Sequence, residues 1–165
     1  MGDVERDMLT PPTVAVIGGG QLARMMQESA IALGINLRAL VEADDGSTGL
    51  VTVDKAAGSP SDLDAIRALI DGADVLTFEH EHIPAQTMEE AARVVSVQPP
   101  ASALLYAQDK LAMRERLTSM GIPCPAWARV DNAAELERFG AAIGWPLIVK
   151  TPRGGYDGHG VALAH

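Results

Sequence analysis

Thr13-Val14-Ala15-Val16-Ile17-Gly18-Gly19-Gly20-Gln21-Leu22-Ala23-Arg24-Met25 is the stretch that decides the fold. Its first five residues are apolar or β-branched and read as a buried strand. Three glycines then break the run. Residues 21–33 carry no Gly or Pro and close at Gly34, which is the pattern of a helix with a glycine near its C-cap. A strand that turns through glycine into a helix is the opening unit of an α/β sheet.

The same rhythm continues outward. Residues 37–41 form a second apolar run and residues 51–53 a short third one. Residues 62–70 are helical in pattern, with Ser61 as the N-cap. Residues 75–78 read as a buried strand, 84–92 as a helix with Pro84 in its first turn, and 94–97 as a strand ended by Pro99-Pro100. Alternating strands and helices predict an open, doubly wound parallel sheet covered on both faces. After a loose arm, 1–12, one α/β domain is expected over 13–100.

Beyond Pro100 the rhythm changes. Residues 108–120 read as a charged amphipathic helix stopped by Gly121-Ile122-Pro123. A strand is expected at 127–130, then a helix from Asp131 as N-cap to about Ile143. A strand at 147–150 faces a hairpin partner at 161–163. Residues 101–165 therefore read as the start of a second, α+β domain that is incomplete.

Composition narrows the function. The 165 residues carry 13 basic and 22 acidic side chains, net −9. A binder of nucleic-acid backbone needs a basic footprint, so nucleic acid is excluded as a partner. A small anion can still be held by local N–H groups and a few lysines. Apolar residues make up 47% and aromatics 4%, which predicts an aliphatic core. Cys124 stands alone, so no intrachain disulfide forms, which fits a reducing compartment. It reads as a packing residue. No run approaches the ~18 apolar residues of a membrane span, and the N-terminus lacks an apolar signal core. A cytoplasmic location is expected.

Two glycine loops carry the chemistry. Gly18-Gly19-Gly20-Gln21-Leu22-Ala23 fits G-x-G-x-x-G/A between strand and helix, and Glu42 follows the second strand. That pattern suits a dinucleotide. It also suits a phosphate at a helix N-terminus or a plain tight turn. A dinucleotide-binding oxidoreductase is thus one reading.

The second loop is Lys150-Thr151-Pro152-Arg153-Gly154-Gly155-Tyr156-Asp157-Gly158-His159-Gly160, entered from the apolar Leu147-Ile148-Val149. Consecutive backbone N–H groups in such turns make a concavity for anions. An unpaired ammonium ending a buried strand is costly, so Lys150 is expected to contact phosphate. Lys110, preceded by Gln108-Asp109, opens a helix. Together these point to a nucleoside triphosphate. Glu79-His80-Glu81-His82 invites a zinc reading, but zinc sites need three or four protein ligands and no third histidine lies close in sequence.

These residues resemble the ATP-grasp enzymes, and among them the N5-carboxyaminoimidazole ribonucleotide synthetases of purine synthesis. Gly18-Gly19-Gly20-Gln21-Leu22-Ala23-Arg24-Met25, Thr77-Phe78-Glu79-His80-Glu81, Gln108-Asp109-Lys110 and Gly155-Tyr156-Asp157-Gly158-His159-Gly160 are similar to that family's motifs. The resemblance implies a pre-ATP-grasp domain followed by the beginning of an ATP-grasp domain. It implies a ligase that uses ATP and Mg²⁺ to activate bicarbonate as carboxyphosphate and to carboxylate aminoimidazole ribonucleotide. By the resemblance, Lys110 and Lys150 contact ATP, and Gly155, Gly158, His159, Gly160 and Val161 lie over its phosphates. Tyr156 and Asp157 share that loop and serve catalysis, facing the ribonucleotide or bicarbonate. Gln21 and Leu22 offer amides to the 5′-phosphate, and Glu79 a carboxylate to ribose hydroxyls.

The metal-bearing carboxylates of this family come later in the fold, so no metal ligand is assigned and the chain alone is expected to be inactive. A homodimer is left open. Ala23 stands where the family has Gly, and His159 where it has Lys or Arg. An imidazolium beside phosphate should make ATP affinity fall as pH rises from about 6 to 8. A flat profile, or one unchanged by His159→Lys, would count against this. Two further alternatives are an ATP-grasp ligase acting on glycinamide ribonucleotide and a non-catalytic nucleotide-binding module.

Overall fold

A computed structural model of the chain describes residues 10–155 and 158–165. The chain divides into two compact units, residues 1–101 and 102–165.

The first unit is a five-stranded sheet with helices on its two faces. Strands β1 (Thr13–Ile17), β2 (Asn36–Val41), β3 (Asp54–Ala57), β4 (Val75–Phe78) and β5 (Ser96–Val97) run in the order β3-β2-β1-β4-β5, and every pair is parallel. Ile17 at the end of β1 lies beside Leu40 of β2 and Phe78 of β4. The chain moves outward from β1 to β3 and then returns to the other side of β1. The loops leaving β1 and β4 therefore part at the carboxyl edge, where open α/β sheets hold ligands. This is the doubly wound sheet expected from the sequence.

Helix α1 (Gln21–Leu33) covers one face. Its Ala23 and Ala30 pack with Val16, Leu37, Ala39 and Val41 in a fully aliphatic cluster. The period-two alternation of strands puts the buried Ala15, Ile17 and Leu40 on the opposite face. Helices α2 (Leu63–Ile70) and α3 (Ala85–Ala91) pack on each other, and α2 packs on β2 and β3. α1 ends as its sequence predicts, with the Gly34 N–H bonded back to the Ala30 and Ile31 carbonyls.

Several local expectations are corrected. The third strand is β3, Asp54–Ala57, and not 51–53; Val53 is 99% exposed. β3 is an edge strand, where one flank is unpaired and a polar sequence is tolerated. The N-cap of α2 is Asp62, whose carboxylate accepts from the Asp64 and Ala65 N–H groups. Ser61, one residue earlier, instead donates its N–H to Ser59 Oγ. Pro84 is the N-cap of α3 rather than part of its first turn.

The second unit holds α4 (Ala101–Gln108), α5 (Lys110–Ser119), α6 (Ala133–Ile143) and an antiparallel pair, β6 (Leu147–Lys150) with β7 (Val161–Ala164). The helix expected over 108–120 is α5, which starts two residues later because Asp109 caps it; Gln108 ends the preceding α4, which was not foreseen. Asp109 caps α5 through its own carboxylate, a role that takes it out of helical geometry. Residues 127–130 form no strand; the Trp127 indole N–H donates to Thr118 Oγ1 at 3.0 Å. Asn132, not Asp131, caps α6, accepting from the Glu135 N–H while Glu135 takes the Asp131 N–H. This is a close variant of the capping box.

Candidate functional site

In the first unit the loop 18–20 carries β1 into α1 with very little room. Gly18 has φ +142, and a Cβ there would run into the Glu79 side chain. A Cβ on Gly19 would lie 3.1 Å from Val41 Cα, and one on Gly20 3.0 Å from Glu79 Oε1. Glycine is required here by close approach.

Glu79, just past β4, closes this loop. Its Oε1 accepts the Gly20 N–H at 2.7 Å and its Oε2 accepts the Ala23 N–H at 2.5 Å. Gly20, the N-cap of α1, has no side chain to cap with. Glu79 does that work from a strand end 59 residues away, and its negative charge suits the helix N-terminus. From the other side, Thr48 donates its hydroxyl to the Gly20 carbonyl and its N–H to the Gly19 carbonyl.

Beside the loop lies a pocket of about 390 Å³, lined by Gly18, Gly19, Gly20, Glu42, Glu79 and His80 among others. Gln21 and Leu22 stand in the first turn of α1, and their N–H groups have no protein acceptor among the described residues. Gln21 also accepts a hydrogen bond from Ser47 through its side chain. The structure thus gathers Gln21, Leu22 and Glu79 at one sheet edge. With Glu79 on the Gly20 and Ala23 amides, a pyrophosphate has fewer donors to meet than the dinucleotide pattern requires. His80 and His82 sit with ring centroids 5.8 Å apart. Among the described residues no group of three His, Cys, Asp or Glu is placed to hold a metal.

The second unit gathers the other candidates. The Lys110 ammonium donates to the Gly155 carbonyl at 3.2 Å, across 45 residues of sequence. The Lys110 N–H donates to the Pro152 carbonyl at 2.9 Å. Asp109 uses Oδ1 to accept the Leu111 and Ala112 N–H groups and Oδ2 to accept Arg153 Nε at 2.8 Å. The Ala112 amide above all, and then the Arg153 guanidinium and the Leu111 amide, hold the Asp109 carboxyl below the usual carboxylate value, outweighing desolvation, which raises it. The Thr151 N–H donates to the Gly160 carbonyl at 2.9 Å and closes the loop at its neck.

Lys150 pairs with Val161 across this neck. It is exposed, and of its strand only Leu147 is buried. The premise that a buried strand end demands an anion for Lys150 is therefore corrected: a two-stranded ribbon leaves its faces open. Gly158, His159 and Gly160 follow on the same loop. Tyr156 and Asp157 lie outside the described residues. Arg153 was missed in the sequence. Asp before a helix is a recognised N-cap signal, but nothing in the spacing ties Arg153 to it.

Known proteins are similar to this chain in sequence and fold. The ribonucleotide synthetase preATP-grasp domain family matches residues 12–108, and the ATP-grasp domain family matches residues 115–165. N5-carboxyaminoimidazole ribonucleotide synthases of Mycobacterium bovis and Mycobacterium tuberculosis are 49% identical over 154 residues, 93% of this chain and 36% of theirs. The N5-carboxyaminoimidazole synthetase structure from Staphylococcus aureus complexed with ADP superposes with a TM-score of 0.84 at 32% identity, over 92% of this chain and 41% of that one. The synthase from Aspergillus clavatus in complex with ADP and 5-aminoimidazole ribonucleotide superposes with a TM-score of 0.81 at 33% identity, over 94% and 41%. The chain thus spans well under half the length of the relatives it matches. With the sheet order, both glycine loops and these matches in agreement, the chain belongs to the ribonucleotide synthetase preATP-grasp family and continues into an ATP-grasp domain.

Proposed function

We propose that this chain is part of an ATP-grasp ligase that carboxylates 5-aminoimidazole ribonucleotide on its amino nitrogen, at the cost of ATP and bicarbonate, in purine synthesis. A bicarbonate oxygen attacks the γ-phosphorus and ADP departs. The amino nitrogen then attacks the carboxyl carbon of carboxyphosphate, phosphate departs, and the nitrogen loses a proton as the C–N bond forms. Phosphoryl transfer of this kind asks the protein for position and charge neutralisation more than for covalent chemistry.

The observation that carries the reading is Lys110 seated on the Gly155 carbonyl. It brings a helix-opening lysine and a glycine loop, far apart in sequence, together, with Lys150 at the loop's neck. Lys110, Lys150 and the amides of the loop around Gly155, Gly158, His159, Gly160 and Val161 are the groups assigned to ATP. Tyr156 and Asp157 are assigned to the reacting groups. Gln21, Leu22 and Glu79 are assigned to the ribonucleotide, with amides for its phosphate. Magnesium accompanies ATP in this chemistry, but the described residues do not assemble a ligand set for it, and no step is routed through it. A cytoplasmic site of action accords with this substrate set; no described helix is long and apolar enough to cross a membrane.

Calorimetric titration of the chain with ATP tests the assignment. Binding should weaken by about tenfold in Lys110→Ala, the loss of a charge-assisted contact. Absence of ATP binding, or binding indifferent to Lys110→Ala and Lys150→Ala alike, would overturn it. A rise in NADH fluorescence on adding the chain would instead favour the oxidoreductase reading.

A further inference from the structure

The amides that open a helix have no acceptor within the helix, and each must find one elsewhere. At α5 they are all accounted for. Leu111 and Ala112 donate to Asp109 Oδ1, and Met113 makes the first intrahelical bond, to the Asp109 carbonyl. The Lys110 amide, first in line, donates to the carbonyl of Pro152 in the glycine loop. The loop therefore completes the helix N-terminus, and phosphate finds no unclaimed amide there.

The same two residues of α5 hold the loop at two more points. Asp109 Oδ2 takes Arg153 Nε at 2.8 Å, and the Lys110 ammonium reaches the Gly155 carbonyl. Residues 109 and 110 thus grip residues 152, 153 and 155. The Asp109 side chain is 18% exposed and the Arg153 side chain 57%. The bond is charge-assisted, and its acceptor side is fixed by the capping bonds of the other oxygen, so only the arginine has to be ordered.

We infer that Asp109 and Arg153 are positioning residues: their ion pair latches the base of the glycine loop to the N-terminus of α5 and so sets Lys110 and the loop amides for one triphosphate. Neither residue is assigned a contact with ATP. The step from latch to triphosphate rests on the function proposed above.

The chemistry of the cap allows a clean test in the whole chain. Asparagine caps a helix about as well as aspartate, so Asp109→Asn keeps α5 and loses the charge that holds Arg153. Asp109→Ala loses both. The Lys110 amide is the reporter, because its acceptor, the Pro152 carbonyl, is in the loop. By NMR hydrogen exchange, Asp109→Asn and Arg153→Gln should each speed exchange of the Lys110 amide by about threefold to fivefold, the range of a partly exposed ion pair. The double variant should be no faster than either single one. Thermal stability should fall a little in Asp109→Asn, which loses the charge, and further in Asp109→Ala, which loses the cap as well. ATP affinity should fall by a similar factor in Asp109→Asn and Arg153→Gln, and Arg153→Lys should recover part of it.

Unchanged Lys110 exchange in both single variants, or additive effects in the double, would overturn the latch. Faster exchange with unchanged ATP affinity would overturn its positioning role. If the unaltered chain fails to bind ATP, the proposed function falls, while the exchange experiment, which contains no ATP, still decides the latch.

Discussion

The two glycine loops of this molecule differ in how they use glycine. At Gly18, Gly19 and Gly20 an added Cβ would meet Glu79 or Val41 at about 3 Å or less. There the glycines make space, and the loop is packed from both sides by Glu79 and Thr48. At Gly158 an added Cβ meets nothing within 4 Å, but φ is +86. There glycine supplies a backbone shape that other residues rarely adopt, whereas elsewhere in the same loop an added Cβ would lie 2.7 Å from the His159 carbonyl oxygen at Gly155 and would run into Thr151 Oγ1 at Gly160. The first loop is preorganised by its surroundings. Among the described residues, the second is held at its base by the bonds of residues 109 and 110 and at its neck by the Thr151 N–H on the Gly160 carbonyl.

The largest effect expected from this contrast is at Gly18. Gly18→Ala combines an overpacked contact with Glu79 and an unfavourable φ, and should cost about 3 kcal/mol of stability. Urea unfolding of the chain measures it. A cost under about 1 kcal/mol would show that the loop is not packed as described. Glu79→Gln comes next. The carboxylate accepts two N–H groups on two oxygens, whereas a carboxamide has one oxygen and must turn an NH₂ toward the other donor. A loss of about 2 kcal/mol is expected. It should be accompanied by faster exchange of the Gly20 and Ala23 amides. Unchanged exchange at both amides would mean that Glu79 does not cap α1.

Much of this was legible in the residues, and what was not has identifiable causes. The parallel sheet followed from apolar runs that alternate with helical periods, because strands buried on both faces cannot hide their composition. β3 was misplaced because an edge strand need not be apolar, while the conspicuous Val51-Thr52-Val53 run sits in a turn around the buried Thr48 and Thr52. Caps were placed one residue off at Ser61 and Asp131, where a neighbouring Asp or Asn competes for the same amides. The resemblance gave Lys110 and the glycine loop a shared ligand, ATP; the structure adds a direct bond between Lys110 and the loop. The Arg153 contact to Asp109 was not foreseen, since a contact across 44 residues leaves no local pattern. Glu79 was expected to face a ribose; its bonds to Gly20 and Ala23 come from tertiary placement alone.

Gly158→Ala sharpens the contrast with Gly18. With open space around it, only the left-handed φ is penalised, at about 1 kcal/mol. The cost should fall on the second unit, leaving exchange of the first unit's core amides unchanged. A cost equal to that of Gly18→Ala would erase the distinction between a packed loop and a tethered one.

The smallest effect is a pH dependence at the tether. The Asp109 carboxyl is held below its ordinary value of about 3.9 by the Ala112 amide first, and then by Arg153 and the Leu111 amide. Its folded pKa is therefore below its unfolded one, and the folded chain favours the ionised form. The resulting stabilisation is fully present above the unfolded value and is lost as pH falls through the folded value. Many carboxylates titrate in that window, so the informative quantity is the difference between the unaltered chain and Asp109→Asn. The unaltered chain should be the more stable of the two at pH 6, and the gap should close progressively below about pH 4. Protection of the Lys110 amide, which donates to Pro152 in the loop, should follow the same course. A gap that is equal at pH 6 and pH 3 would mean that the charge on Asp109 does not hold the loop, and that the Lys110 bonds to Pro152 and Gly155 tether it to α5 without that charge.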